Sequence, residues 1–161
     1  MKKLIIVRHA KSSWDHDVSD FDRSLSERGV KDAHRTSKHL KDKIEVPDAV
    51  FSSPANRAMH TCMIFMRTLD ISVEKLRITD AMYDFGGDHV LELLRSIDNT
   101  HNCVAVFGHN YALTSLSNIF GDKTVDNLPT SGVVVIHFHA DNWAKIERGH
   151  TTLIVFPKQL R

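Results

Sequence analysis

Two short apolar segments, each followed by a histidine, constrain the fold of this chain more than any other feature. Residues 4–7 run directly into Arg8 and His9, and residues 104–107 run through one glycine into His109. Uninterrupted apolar runs of this length are typical of parallel strands that helices cover on both faces. In an open α/β sheet, ligands bind beyond the carboxyl ends of the strands. We therefore expect Arg8, His9 and His109 to meet at one edge of a sheet.

A third apolar run leads to a second arginine. Residues 49–52 predict a strand, and Pro54 is suited to the first turn of the helix that follows. Arg57 then falls near the N-terminal end of that helix, outside its apolar stripe. If this strand joins the same sheet, Arg57 lies at the same edge as Arg8.

Local signals predict where the other helices begin. Ser26 followed by Glu27 predicts a helix start, because a serine hydroxyl caps helix N-termini and an acid suits the first turn. A further helix is predicted after the turn at residues 86–87, and another that opens at His109. The polar, irregular residues 8–25 predict a loop over the site.

The remaining strands are predicted in the second half of the chain. Residues 76–79 favour a short strand, residues 132–138 and 143–147 a hairpin, and residues 152–156 a last strand. Helices alternating with strands, followed by an antiparallel tail, predict a three-layer α/β/α fold with a mostly parallel central sheet and an antiparallel C-terminal part. The length predicts a single domain over residues 1–161.

Composition narrows the class of partner. A formal net charge of +1 favours neither nucleic acid nor a membrane surface. The N-terminal apolar run is too short for a signal segment or a membrane span. The two cysteines, Cys62 and Cys103, fit no metal spacing and indicate a reduced, cytoplasmic protein.

His137 and His139 share a strand face, but without a third ligand we interpret them as solvated histidines rather than a zinc site.

Two arginines and two histidines at one sheet edge are suited to phosphoryl chemistry. The planar fork of an arginine holds two phosphate oxygens and keeps its charge. A neutral imidazole attacks phosphorus without a separate base. We assign His9 as the nucleophile, because the same strand end places Arg8 beside it, and His109 as its electrostatic partner.

Five segments together resemble the histidine phosphatase superfamily, which is also described as phosphoglycerate mutase-like. Within it the chain is similar to the small SixA-type phosphohistidine phosphatases. The matching segments follow one another in the superfamily's order and are residues 7–12, 22–29, 52–58, 82–84 and 107–110. The superfamily's usual Arg-His-Gly is Arg8-His9-Ala10 in this chain.

The resemblance implies a phosphatase that forms a phosphohistidine intermediate on His9 and needs no metal or other cofactor. Arg8, Arg57 and His109 would hold the phosphoryl oxygens. Ser12 and the backbone at Asn110 would lie at the rim of the pocket.

The resemblance also implies an acid that protonates the leaving group. Asp84 falls where the superfamily places it, one methylene shorter than the glutamate of mutases, and Asp80 is the weaker option. The role of Trp14, in the polar loop, is left open: it could stack on a substrate or pack the loop down.

The short link at residues 70–86 leaves few residues for a lid. An open pocket would admit phosphohistidine on a protein, so we expect a phosphorylated histidine-phosphotransfer protein as substrate. The alternative is a small-molecule phosphomonoesterase of the same superfamily. A non-catalytic phosphate-binding module is less favoured, because none of the expected site residues is missing. A mutase is less favoured as well, because the chain is too short for the closed site that a mutase needs.

Overall fold

A six-stranded sheet runs through the middle of the structure, a computed structural model that describes residues 1–161. Its strands are β1 (Lys2–Arg8), β2 (Ala49–Ser52), β3 (Leu76–Ile78), β4 (Cys103–Gly108), β5 (Val133–Phe138) and β6 (His150–Val155). They are ordered β3-β2-β4-β1-β5-β6. The first four are mutually parallel, whereas β5 is antiparallel to both β1 and β6.

Helices cover both faces of this sheet, as the apolar runs predict. They are α1 (Glu27–Leu40), α2 (Asn56–Thr68), α3 (Asp88–Arg95) and α4 (Ala112–Phe120). Alternate residues of β1 enter two separate cores: Leu4 and Ile6 pack with residues of α3 and α4, and Ile5 and Val7 with residues of α1 and α2. The predicted three-layer α/β/α fold is therefore confirmed.

The pairing of the central strands places the predicted site residues together. In the parallel register of β1 and β4, Arg8 lies opposite Gly108. The N–H of His9 donates to the Gly108 carbonyl at 3.0 Å, and the N–H of Ser53 donates to the Phe107 carbonyl at 3.0 Å. The carboxyl ends of β1, β2 and β4 thus meet at one edge of the sheet.

Two of the predicted helix starts need correction. Ser26 caps α1 as expected, and its Oγ accepts a hydrogen bond from the Gly29 N–H at 3.0 Å. Pro54, however, precedes α2, whose cap residue is Ala55. His109 does not open α4, which begins at Ala112, because residues 109–111 form the turn that leads out of β4.

The predicted hairpin between residues 132–138 and 143–147 is wrong. Residues 143–145 form a 3-10 turn, and β5 pairs with β6 instead. The reason is Trp143, which is fully buried with its Nε1–H donating to the His101 carbonyl at 2.8 Å. A tryptophan anchored in the core turns this segment away from the sheet edge. No helix has the length and apolar character needed to span a membrane.

Candidate active site

Arg57 lies at the centre of the predicted site and contacts both histidines. It is the second residue of α2 and only 2% exposed. Its Nε–H donates to His9 Nε2 at 3.4 Å, and Nη2 lies 3.4 Å from His109 Nδ1. The structure therefore brings together three residues that lie far apart in the sequence.

The hydrogen bonds of His9 determine which ring nitrogen is available for attack. His9 Nδ1 lies 2.7 Å from the Ala10 carbonyl oxygen, which can only accept. Nδ1 therefore carries the proton, and the lone pair lies on Nε2, facing Arg57. The N–H of Ala10 in turn donates to Thr61 Oγ1 at 2.9 Å, which fixes the carbonyl that orients the ring.

Both imidazoles are held in the neutral form. Burial, together with the charges of Arg57 and Arg8, lowers the pKa of His9 to about 3, although the hydrogen bond to Ala10 opposes this shift. Burial and then Arg57 lower the pKa of His109 to about 4. A neutral His9 keeps its Nε2 lone pair for attack on phosphorus.

These pKa shifts predict that neither imidazole titrates between about pH 5 and about pH 8, the range in which unperturbed histidines change charge. The measurement is an NMR pH titration of the imidazole C–H or ¹⁵N resonances, with His9→Gln and His109→Gln used to assign them. In urea both rings should titrate near their ordinary pKa of about 6.5, which serves as the control. A midpoint above about 6 for either ring in the folded, phosphate-free protein would contradict the burial that the structure shows.

His109 is held by two hydrogen bonds and two aromatic rings. Because an arginine N–H can only donate, His109 Nδ1 accepts from Arg57, which leaves Nε2–H to donate to Ser53 Oγ at 2.8 Å. The rings of Tyr83 and Phe85 pack against the imidazole with centroid distances of 5.3 and 4.9 Å. His109 is thereby locked with its Nδ1 lone pair directed at Arg57.

Arg8 brings a second positive charge into this edge of the sheet. Its Nη1 donates to the Leu128 carbonyl at 3.0 Å, while its Nε is buried with no hydrogen-bond partner. Burial, and then the charge of Arg57, lower the pKa of Arg8. Two neighbouring guanidinium groups, one with an unpaired buried donor, favour an anion with several acceptor oxygens.

Asp20 is a site residue that the sequence analysis missed. Its backbone carbonyl accepts from Arg57 Nη1 at 2.6 Å, and its Oδ2 accepts from Arg57 Nη2 at 3.0 Å and from the Tyr83 hydroxyl at 2.8 Å. Burial raises the pKa of this carboxyl, but the hydrogen bonds from Tyr83 and Arg57 outweigh that effect and lower it. Asp20 belongs to residues 8–25, which the sequence predicts as a loop over the site. No sequence signal, however, distinguishes Asp20 from the neighbouring aspartates of this loop.

The structure does not bring Asp84 into this cluster. Its carboxylate accepts hydrogen bonds from four backbone N–H groups at the start of α3, those of Gly86, Gly87, His89 and Val90. Burial raises the pKa of the Asp84 carboxyl, but the four hydrogen bonds outweigh that effect. Its pKa is therefore lower than the usual value for an aspartate. Asp80 lies in the 3-10 turn Asp80–Met82, and its carboxylate makes no hydrogen bond to the cluster. An ionised Asp84 engaged by the helix start is poorly suited to donating a proton.

Of the residues expected at the pocket rim, Ser12 and Asn110 have side chains that make structural hydrogen bonds, and the role of the Asn110 backbone stays a prediction. The buried Ser12 accepts a hydrogen bond at Oγ from Arg23 Nη2. The Asn110 side chain accepts a hydrogen bond from the Thr114 N–H, in the first turn of α4, at 3.1 Å. Trp14 is 75% exposed, and the Arg23 guanidinium stacks on its ring at 3.1 Å. Trp14 therefore packs against its own loop.

The clustered residues place a neutral imidazole beside positively charged side chains. No group of three or more His, Cys, Asp or Glu side chains is arranged to hold a metal ion. What the geometry offers instead is a neutral imidazole lone pair beside two guanidinium groups, which suits attack on a tetrahedral phosphoryl group.

Comparison with known proteins is consistent with this chemistry. Residues 4–80 match the sequence model of the histidine phosphatase superfamily, branch 1. An uncharacterized protein of Mycobacterium tuberculosis is 26% identical over 160 residues, covering 93% of this chain and 98% of that protein.

Two solved structures share the fold over nearly the whole chain. A protein assigned as the phosphohistidine phosphatase SixA from Agrobacterium tumefaciens superposes with a TM-score of 0.82 at 24% identity, covering 97% of this chain and 98% of that one. The protein histidine phosphatase SixA in complex with tungstate superposes with a TM-score of 0.79 at 20% identity, and the coverage is 99% of both chains.

Proposed function

Taking the chain as a member of the histidine phosphatase superfamily, we propose that it removes the phosphoryl group from a phosphohistidine carried by a signalling protein, without a metal ion. The match over residues 4–80 supports the superfamily and the phosphatase class predicted from the sequence. The observation that carries the proposed mechanism is the neutral His9, whose Nε2 lone pair faces Arg57 inside the anion site.

In the first step His9 Nε2 attacks phosphorus in line with the departing nitrogen of the substrate. The bond from phosphorus to the substrate breaks and a phosphorylated His9 forms. Arg57 and Arg8 donate hydrogen bonds to the phosphoryl oxygens. For this, Arg57 gives up its 3.4 Å contacts with His9 and His109. A bound dianion favours protonation of His109, whose Nδ1 then donates to a phosphoryl oxygen.

In the second step water attacks the phosphorylated His9. The bond between Nε2 and phosphorus breaks, inorganic phosphate leaves, and the neutral imidazole is restored. Both steps use the same oxygen-binding donors, so one site serves the whole cycle.

The short connection between β3 and α3 supports a protein-borne substrate. Residues 79–87 connect β3 to α3 without an inserted lid. The rim around Arg57 instead carries side chains that remain partly exposed, with Phe21 39% and Phe85 45% accessible. The likeness in fold to structures described as phosphohistidine phosphatases supports the same substrate class.

The proposal is tested by comparing substrates in the presence of EDTA. We expect kcat/KM for a phosphorylated histidine-phosphotransfer domain to exceed that for a sugar phosphate by at least about 10²-fold. The control is the spontaneous loss of phosphohistidine from the same domain, incubated under the same conditions without the enzyme. A preference for the sugar phosphate would instead indicate a small-molecule phosphomonoesterase, and loss of activity in EDTA would contradict the metal-free mechanism.

A further inference from the structure

Asp20 is the one carboxylate that is hydrogen-bonded to the catalytic cluster. Its Oδ2 accepts from Arg57 Nη2 at 3.0 Å and from the Tyr83 hydroxyl at 2.8 Å, and its Oδ1 lies 3.4 Å from Arg23 Nη1. All three partners act as donors, so this carboxylate functions as an acceptor and is held in its ionised form. An ionised carboxylate can accept a proton and cannot supply one.

The position of Asp20 gives it access both to water and to the nucleophile. Its side chain is 48% exposed, whereas His9 is only 8% exposed. The Arg57 guanidinium lies between them, with Nε 3.4 Å from His9 Nε2 and Nη2 3.0 Å from Asp20 Oδ2. A group bound to Nε2 therefore lies near this carboxylate, with solvent on its open side.

No other group near His9 is as well placed to act as a base. The carboxylate of Asp84 is occupied by four backbone N–H donors at the start of α3. His109 Nε2–H is bound to Ser53, and Nδ1 faces the Arg57 guanidinium that would hold the phosphoryl group. Asp20 is the carboxylate that lies at the solvent side of Arg57, and its side chain is 48% exposed.

We propose that Asp20 is the general base of the second step, an inference that rests on the proposed function. The Asp20 carboxylate accepts a proton from the water whose oxygen attacks the phosphorus of phosphorylated His9. The bond between phosphorus and Nε2 breaks with its electron pair returning to Nε2, and inorganic phosphate departs. The protonated Asp20 then releases its proton to solvent, to which it is half exposed. The Tyr83 hydroxyl and Arg57 fix the carboxylate for this transfer.

The experiment is a rapid-quench study of aryl phosphate hydrolysis by wild type, Asp20→Asn and Asp20→Glu, with mass spectrometry of the phosphoenzyme. Loss of a general base should slow steady-state turnover of Asp20→Asn by about 10²-fold or more. The first step does not use the base, so a burst of one aryl alcohol per active site should remain and the phosphoenzyme should accumulate. Asp20→Glu should restore part of the turnover and reduce the accumulation.

Asp22→Asn is the matched control, because Asp22 lies in the same short turn and its carboxylate bonds to Ser19 rather than to Arg57. It should retain wild-type kinetics. An equal fall of burst and steady-state rates in Asp20→Asn without accumulation would overturn the inference and leave Asp20 as a positioning residue for Arg57. Unchanged turnover in Asp20→Asn would overturn it as well. If wild type neither labels nor hydrolyses any phosphorylated substrate, the proposed function fails, and the inference fails with it.

Discussion

Replacement of His9 by alanine is expected to reduce hydrolysis by at least about 10⁴-fold, because removal of a covalent nucleophile leaves only the binding groups of a site. His9 Nε2 carries a lone pair that faces the Nε–H of Arg57. His109 cannot substitute for it, since its ring is held between Ser53 and Arg57.

The measurement combines aryl phosphate hydrolysis in EDTA with mass spectrometry of acid-sensitive phosphoenzyme. Wild type should label once per chain, and His9→Ala should neither label nor turn over. His16→Ala is a suitable control, because His16 lies in an exposed part of the loop and makes no side-chain hydrogen bond. Substantial turnover by His9→Ala would show that the proposed nucleophile is wrong.

Replacement of Arg57 by alanine is expected to reduce kcat by about 10³-fold, since loss of a single preorganised donor to a developing anion costs about 10²- to 10³-fold and Arg57 supplies more than one. The variant also removes the two donors that Arg57 supplies to the carbonyl and the carboxylate of Asp20. Arg57→Lys should recover little of the activity, because an ammonium group cannot reproduce the planar fork.

Steady-state kinetics should show the fall mainly in kcat, with a thermal melt to verify that both Arg57 variants fold. Arg67→Ala is the matched control, as Arg67 is an exposed residue near the end of the same helix α2. Near-wild-type turnover by Arg57→Lys would mean that charge alone, rather than the geometry of the guanidinium, serves the reaction.

The parts of the fold that depend on local or periodic signals could be predicted from the sequence. The apolar runs that became β1 and β4, and the Ser26 cap of α1, lie where those signals indicate. Because parallel strands align their carboxyl ends, the same signals predict the meeting of His9, Arg57 and His109. The roles of these residues remain predictions that the variants above test.

Features that depend on contacts between distant segments could not be predicted. The burial of Trp143 replaced a predicted hairpin by a turn, although the residues around it are compatible with a strand. The superfamily pattern points to Asp84 as the acid that protonates the leaving group. In the structure its carboxylate instead accepts hydrogen bonds from backbone N–H groups at the start of α3. Asp20 is identified only by its contact with Arg57, which lies 37 residues further along the chain.

The central place of β1 in the sheet has a consequence for how the protein folds during synthesis. β1 leaves the ribosome first, yet its two neighbours are β4 and β5, which begin at Cys103 and Val133. Until those segments emerge, an apolar strand lacks both of its hydrogen-bonding partners, and such non-local pairing slows folding. His9 therefore acquires its surroundings only when most of the chain is present. Catalytic activity should appear together with global folding, and N-terminal fragments that end before β4 should be inactive and prone to aggregation.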